Sequence, residues 1–205
     1  MIDYHEPIGL RAAALLRARH ICLFYNSQDE EYDILLPFIK EGFEKGDKTF
    51  HIIDSKHRPA HLRQLQKVGI DVEGGEKTGQ LEVRGWEDAH LRPGHFDQHA
   101  MLALVEEVLT KAKQSGYPAT RWVANMGWAL EDLPGVEDAL EYCARLNYVV
   151  PNYPATIICT YDLAHFDANM VMNTLRTHPA AIIGGILQEN PFFVPPQEML
   201  RELGQ

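Results

Sequence analysis

No phosphate-binding loop, no nucleophile elbow and no paired-cysteine motif can be found in these 205 residues. A phosphate loop needs GxxxxGK[ST], because glycines let backbone N–H groups converge on phosphate and the lysine meets its charge. Its absence argues against conventional ATP hydrolysis. Without GxSxG there is no strained turn to present a serine nucleophile. Only three cysteines are present, Cys22, Cys143 and Cys159, far apart and without CxxC. That pattern suits reduced thiols better than a disulfide frame and points to a cytoplasmic protein. No apolar run approaches the ~18 residues that span a bilayer, and the opening MIDYHEPIGL is too polar for a signal peptide. Basic clusters are missing as well. The net charge of −10 opposes direct binding to nucleic acid or to an anionic membrane. No helix-turn-helix is evident.

What is present is an ordinary globular composition, 45% hydrophobic and 23% charged, with strand and helix signals in regular alternation. After a lead-in helix in RAAALLRAR, strands are expected at 20–25, 49–54, 81–84, 121–126 and 155–161, with a short sixth in HPAAIIGG. Helices are expected at 29–45, 59–68, 96–115, 136–146 and 167–177. GGEKTGQ reads as a glycine-rich loop, and NPFFVPP as an edge strand or arm. Such alternation implies one α/β domain, its core about 18–195, with a mostly parallel central sheet and helices on both faces.

In open parallel sheets ligands bind outside the carboxyl ends of the strands. The residues there are Tyr25 and Asn26, Asp54 and Ser55, Gly85 and Trp86, Met126 to Trp128, and Tyr161 and Asp162. This rim is rich in aromatics and amides, and its only basic candidates are Lys56, Arg58, Arg84 and Arg121. Within HICLFYNSQDEEY the first strand, His20 to Tyr25, runs directly into a helix start, where Ser27 is the cap and the first turn holds Asp29, Glu30 and Glu31. These acids complement the helix dipole themselves and would repel a triphosphate.

Certain segments carry a family resemblance. FIKEGFEKGDKTFHIID after HICLFY resembles the region that follows the phosphate loop in KaiC/RecA-type ATPases. More specifically, the chain resembles the MEDS sensory domain of methanogen and methylotroph regulators, which occurs in a dichloromethane-responsive repressor. The matching pieces are His20 to Tyr25, Phe38 to Gly46, Arg121 with Met126-Gly127-Trp128-Ala129-Leu130, Cys159-Thr160-Tyr161-Asp162, His178-Pro179 and Asn190-Pro191. The resemblance implies a RecA/KaiC-like three-layer fold without its nucleotide loop, used to sense small hydrocarbon-derived molecules.

The resulting expectation is a non-enzymatic sensory domain with no cofactor, binding a small organic molecule and signalling through a partner protein. A homo-oligomer is compatible with it. The expected ligand contacts are Tyr25, Asn26, Asp54, Trp86, Arg121, Met126, Trp128, Tyr161 and Asp162, with Arg121 orienting the fourth strand or pairing with a rim acid. Two rivals remain open. One is a metal- or redox-dependent sensor or enzyme built on His20, Cys22 and Cys159, since His20 and Cys22 share a strand face. The other is a ligand-free interaction module on the old nucleotide face. Ten histidines are many for this length. His51, His57 and His61 cluster around the second strand. His95 and His99 share a helix face but lack the glutamate of HExxH, and read as exposed.

Overall fold

The computed structural model describes residues 19–92 and 94–204, so the expected lead-in helix lies outside the described residues. The chain alternates β1 (His20–Tyr25), α1 (Gln28–Glu44), β2 (Lys48–Ile53), α2 (Arg58–Lys67), α3 (Val72–Thr78) and β3 (Leu81–Gly85). It continues through α4 (Gln98–Gln114), β4 (Thr120–Asn125), α5 (Ala139–Val149), β5 (Ala155–Asp162) and α6 (Ala168–Thr177). A hairpin of β6 (Ala180–Ile183) and β7 (Ile186–Glu189) and a final helix α7 (Pro196–Leu203) complete it.

The strands form one sheet in the order β3-β2-β4-β5-β1-β6-β7. All pairings are parallel except β6 with β7. Every residue of β1 and β2 is buried, as expected when helices cover both faces. Ile21, Leu23, Val123 and Ile158 pack on one face against Ile34, Leu35 and Ile39 of α1 and Leu65 of α2. Cys22, Phe24, Trp122, Ile157 and Cys159 pack on the other against Met101 and Val105 of α4, Tyr142 and Leu146 of α5, and Leu175 of α6. The result is the expected three-layer α/β architecture. Among the described residues no helix is long and apolar enough to cross a membrane.

Two local expectations are corrected. The glycine-rich segment belongs largely to helix α3, whose start is capped by the Asp71 carboxylate accepting from Gly74 N–H at 3.0 Å. A Cβ on Gly75 would lie 2.9 Å from the Phe43 ring and 3.0 Å from Leu81 Cβ. The glycine therefore permits close helix packing rather than a flexible loop. The proline-rich tail forms no edge strand: the edge is the β6–β7 hairpin, turned at Gly184 and Gly185 with φ of 56° and 74°, and the tail leads into α7.

Arg121 fastens the amino-terminal end of the sheet. Its Nε donates to Asp47 Oδ2 at 2.9 Å, and Nη1 donates to Glu41 Oε2 at 3.1 Å and to the Phe38 carbonyl at 2.7 Å. The side chain crosses Gly42, where a Cβ would lie 2.2 Å from Arg121 Cδ. This accounts for the first glycine of the Gly-x-x-x-Gly stretch. Asp47 is buried, so truncating Arg121 strands its charge. Arg121→Ala is expected to cost roughly 3–5 kcal/mol in urea denaturation, and Gly42→Ala to destabilise by displacing the same guanidinium.

Five histidines, His20, His51, His61, His90 and His178, are buried. Burial holds all of them below the usual imidazole range, His61 and His178 at about 4 and His90 at about 3. Below pH ~6.5 the unfolded chain takes up protons that the native state refuses, so stability is lost as pH falls. The expected loss between pH 6.5 and 4 is up to about 1.4 kcal/mol per pH unit per histidine, readable from denaturation midpoints across that range.

Candidate functional site

A cleft of about 420 Å³ opens at the carboxyl ends of the strands. Its walls come from five strands or their following turns: Tyr25 ends β1, Ile53 ends β2 and Asp54 follows it, Trp86 follows β3, Asn125 ends β4 and Asp162 ends β5. Helix α1 contributes Gln28, Glu31, Tyr32 and Leu35, and the turns after β4 and β5 contribute Leu130, Glu131, His165 and Phe166. Both its size and its mixed lining are typical of small-molecule sites.

The start of α1 is rigidly set. Ser27 Oγ accepts from Glu30 N–H at 3.2 Å, and Glu30 Oε2 accepts from Asn26 N–H at 2.8 Å and from Asn26 Nδ2 at 3.0 Å. This is a capping-box arrangement displaced by one residue on the return side. It occupies Glu30 N–H, one of the donors with which a helix start would otherwise meet an anion, and places the Glu30 carboxylate beside it.

Of the three acids in that first turn, Glu31 differs from the others. It points inward and is 9% exposed. Thr160 Oγ1 donates to its Oε1 at 2.7 Å, and Asn125 Nδ2 lies 3.5 Å from Thr160 Oγ1. Burial raises the Glu31 carboxyl to about 7; the Thr160 and Asn125 hydrogen bonds oppose that rise, and nearby Asp162 adds to it. Tyr25 and Tyr32, beside it, are also pushed up, first by burial and then by the Glu31 charge. A polar chain continues inward: Tyr32 Oη lies 3.0 Å from His61 Nδ1, and His61 Nε2 lies 2.9 Å from His51 Nδ1.

Tyr25, Asp54, Trp86 and Asp162 of the expected contacts line the cleft. The others lie elsewhere. Asn26 is exposed and engaged with Glu30. Arg121 is at the opposite end of the sheet, because residue 121 begins β4 whereas the rim lies at its end; it pairs with Asp47 and Glu41 rather than with a rim acid. Met126 and Tyr161 are buried in the core layer. Trp128 is fully buried, stacked on His90 at 4.6 Å and packed against Phe96 at 4.3 Å. The turn after β4 folds Met126 and Trp128 back beneath the rim, whereas Tyr161 is a strand residue of β5 on the face covered by α4, α5 and α6. His95 and His99 are exposed.

Glu31 was the residue to find. It precedes Ile34, Leu35 and Phe38 at i+3, i+4 and i+7, so it lies on the buried stripe of α1. Reading it only as a dipole-complementing acid hid this.

The metal alternative is redrawn as well. Cys22 Sγ faces the Ala180 carbonyl oxygen at 3.6 Å, whereas His20 Nε2 lies 3.6 Å from Cys159 Sγ. The compact cluster around His20 includes Cys143 and His178, which are remote in sequence.

A buried acid held at about 7 makes stability depend on pH in a definite sense. Between pH ~4.5 and ~7 the native state keeps a proton that the unfolded chain releases, so Glu31 lowers stability as pH rises through this window. Glu31→Gln preserves an acceptor for Thr160 and removes the charge. It is expected to raise stability above pH 7 by up to about 3 kcal/mol and to leave it nearly unchanged at pH 4, as measured by urea titrations at both values.

The family model "MEDS: MEthanogen/methylotroph, DcmR Sensory domain" matches residues 19–179. The chain is 28% identical over 161 residues to the transcriptional repressor DcmR of Methylorubrum extorquens, a match covering 78% of this chain but 57% of the repressor. Among solved structures it is similar to the KaiC-like protein PH0186 of Pyrococcus horikoshii, with TM-score 0.56 at 14% identity over 80% of this chain and 69% of that one. It is also similar to the flagellar accessory protein FlaH of Methanocaldococcus jannaschii, with TM-score 0.51 at 11% identity over 82% and 74%. These two likenesses establish the RecA/KaiC-like fold. With the family model covering most of its length, the chain belongs to the MEDS family of sensory domains.

Proposed function

We propose that this sensory domain binds a small neutral or cationic organic molecule in the cleft at the carboxyl ends of the sheet. The observation that carries this reading is the buried Glu31 carboxyl facing a roomy cleft. A carboxyl there costs solvation energy that a ligand donor or positive charge offsets. The cleft is also lined by Asp54, Glu131 and Asp162, and by no lysine or arginine among the described residues. Phosphates and other anions meet like charge there. Tyr25, Trp86, Leu35 and Phe166 supply an apolar and aromatic body for the ligand. The Trp86 indole Nε1–H is buried without a partner and is a further donor for it.

The match to a repressor extends over little more than half of that protein. A regulatory output therefore passes from the ligand-bound domain to another segment or to a partner protein. Ligand can drive this only by binding one conformation better than another. The candidates for that change are the turns after β4 and β5, which border the cleft.

The test is a thermal-shift and Trp-fluorescence titration against small alcohols, amines, halogenated hydrocarbons, carboxylates and Mg-ATP. Stabilisation is expected from neutral or amine compounds and not from carboxylates or nucleotide. Trp86→Ala is expected to weaken binding tenfold or more, about 1.4 kcal/mol. For an amine, affinity rises with pH through about 7 as Glu31 ionises, and Glu31→Gln removes that dependence. Stabilisation by Mg-ATP alone would overturn the proposal.

A further inference from the structure

On the opposite face of the sheet from Glu31, a second polar cluster is sealed inside the core. His20 starts β1, Cys143 lies on α5, and His178 follows α6. One ligand-capable atom from each lies within 4.8 Å of the other two, and all three residues are buried. Cys159 of β5 adjoins His20, its Sγ 3.6 Å from His20 Nε2, and lies just outside that group of three.

The hydrogen bonds around the cluster determine which nitrogens are free. His178 Nδ1 lies 2.9 Å from the Thr174 carbonyl oxygen, a pure acceptor, so Nδ1 carries the proton and Nε2 is a bare lone pair. That Nε2 is buried and has no hydrogen-bond partner. His20 Nδ1 lies 3.3 Å from Asn147 Oδ1. The Asn147 amide cannot be reversed, because its Nδ2 donates to the carbonyls of Cys143, Ala144 and Thr177. Asn147 therefore accepts from His20 Nδ1–H, and His20 Nε2 is likewise a lone pair. The two imidazole rings sit 4.0 Å apart between centroids.

Two imidazole lone pairs thus converge with thiols in a dry core, and each ring's other nitrogen is held by an oxygen acceptor. This is the outer-shell pattern that orients histidines on a metal. With zinc–nitrogen bonds of ~2.0–2.1 Å and zinc–sulfur bonds of ~2.3 Å, a tetrahedral ion sets nitrogen and sulfur ligands about 3.6 Å apart. The observed His20–Cys159 separation has that value.

We propose that His20, Cys143 and His178, with Cys159 brought in as the fourth ligand by rotation of its side chain, form a structural zinc site. Binding exchanges the two thiol protons, released to solvent, for one Zn²⁺. The resulting centre, one dication with two thiolates and two neutral imidazoles, carries no net charge, which suits full burial. It joins β1, β5, α5 and the segment between α6 and β6. Because the site is sealed, the ion enters as the chain folds. Cys22 is outside it, occupied with the Ala180 carbonyl.

The test uses the full chain, purified after growth with zinc and also refolded from denaturant with Zn²⁺ or Co²⁺. Elemental analysis is expected to find about one zinc per chain. The cobalt form is expected to show tetrahedral ligand-field bands and a thiolate-to-cobalt charge-transfer band of two-thiolate intensity. Cys143→Ser and His178→Gln are expected to lower occupancy at least tenfold, and Cys22→Ser to leave it unchanged. Should both site variants fail to fold, the wild-type cobalt spectrum decides by its geometry and thiolate count. Folded wild-type protein without stoichiometric zinc after zinc refolding overturns the proposal. So does a cobalt spectrum lacking thiolate bands, or metal retained in folded Cys143→Ser and His178→Gln.

Discussion

A parallel sheet covered by helices on both faces leaves water at the strand ends and almost nowhere else. Each polar group between the layers must then find an internal partner or carry a desolvation cost. Much of this molecule's individuality lies in how it meets that constraint. Arg121 is admitted because Asp47, Glu41 and the Phe38 carbonyl surround it. Five histidines are admitted by remaining neutral. Glu31 is admitted at the boundary, with one oxygen held by Thr160 and the cleft beside it.

The same constraint places the candidate site. The RecA/KaiC-like topology gathers the carboxyl ends of β1 through β5 around one opening, the general location for ligands in such sheets. In phosphate-binding versions of strand-loop-helix, this opening depends on free N–H groups and a lysine. Here Ser27 takes Glu30 N–H, Glu30 takes Asn26 N–H, and the inward residue of the first turn is a carboxyl. The chemistry of the opening is inverted while its position is kept. The ligand proposed above, a donor-bearing molecule, calls for this inversion, because it needs a well-oriented acceptor.

The two faces of the sheet are unlike in their polar content. The face under α1 and α2 carries a chain from Tyr32 through His61 to His51, reaching inward from the cleft. The face under α5 and α6 holds thiols and imidazoles sealed from it. Phe166 lines the cleft and packs edge-on to Tyr161 at 5.1 Å, and Tyr161 meets His178 edge-on at 6.0 Å. Aromatic packing therefore links the two regions.

Much of this fold was legible because parallel strands are continuous apolar runs and the helices carry clear stripes and caps. The helix α3 was not, because Gly74 and Gly75 look like loop residues until Phe43 and Leu81 are seen to demand a missing Cβ. At the site, Tyr25, Asp54, Trp86 and Asp162 were readable as strand-end residues. Met126 and Trp128 share that sequence position yet turn into the core, since a strand's end does not state which way the next turn folds; Tyr161 lies within β5 and is buried by strand alternation. By itself the sequence determined the alternating α/β order, the lack of a phosphate loop and the family. Only the tertiary structure decided which of three consecutive acids is buried and which cysteine meets which histidine. Burial and proximity are set by chain segments up to 158 residues apart, as between His20 and His178, and no local pattern encodes that distance.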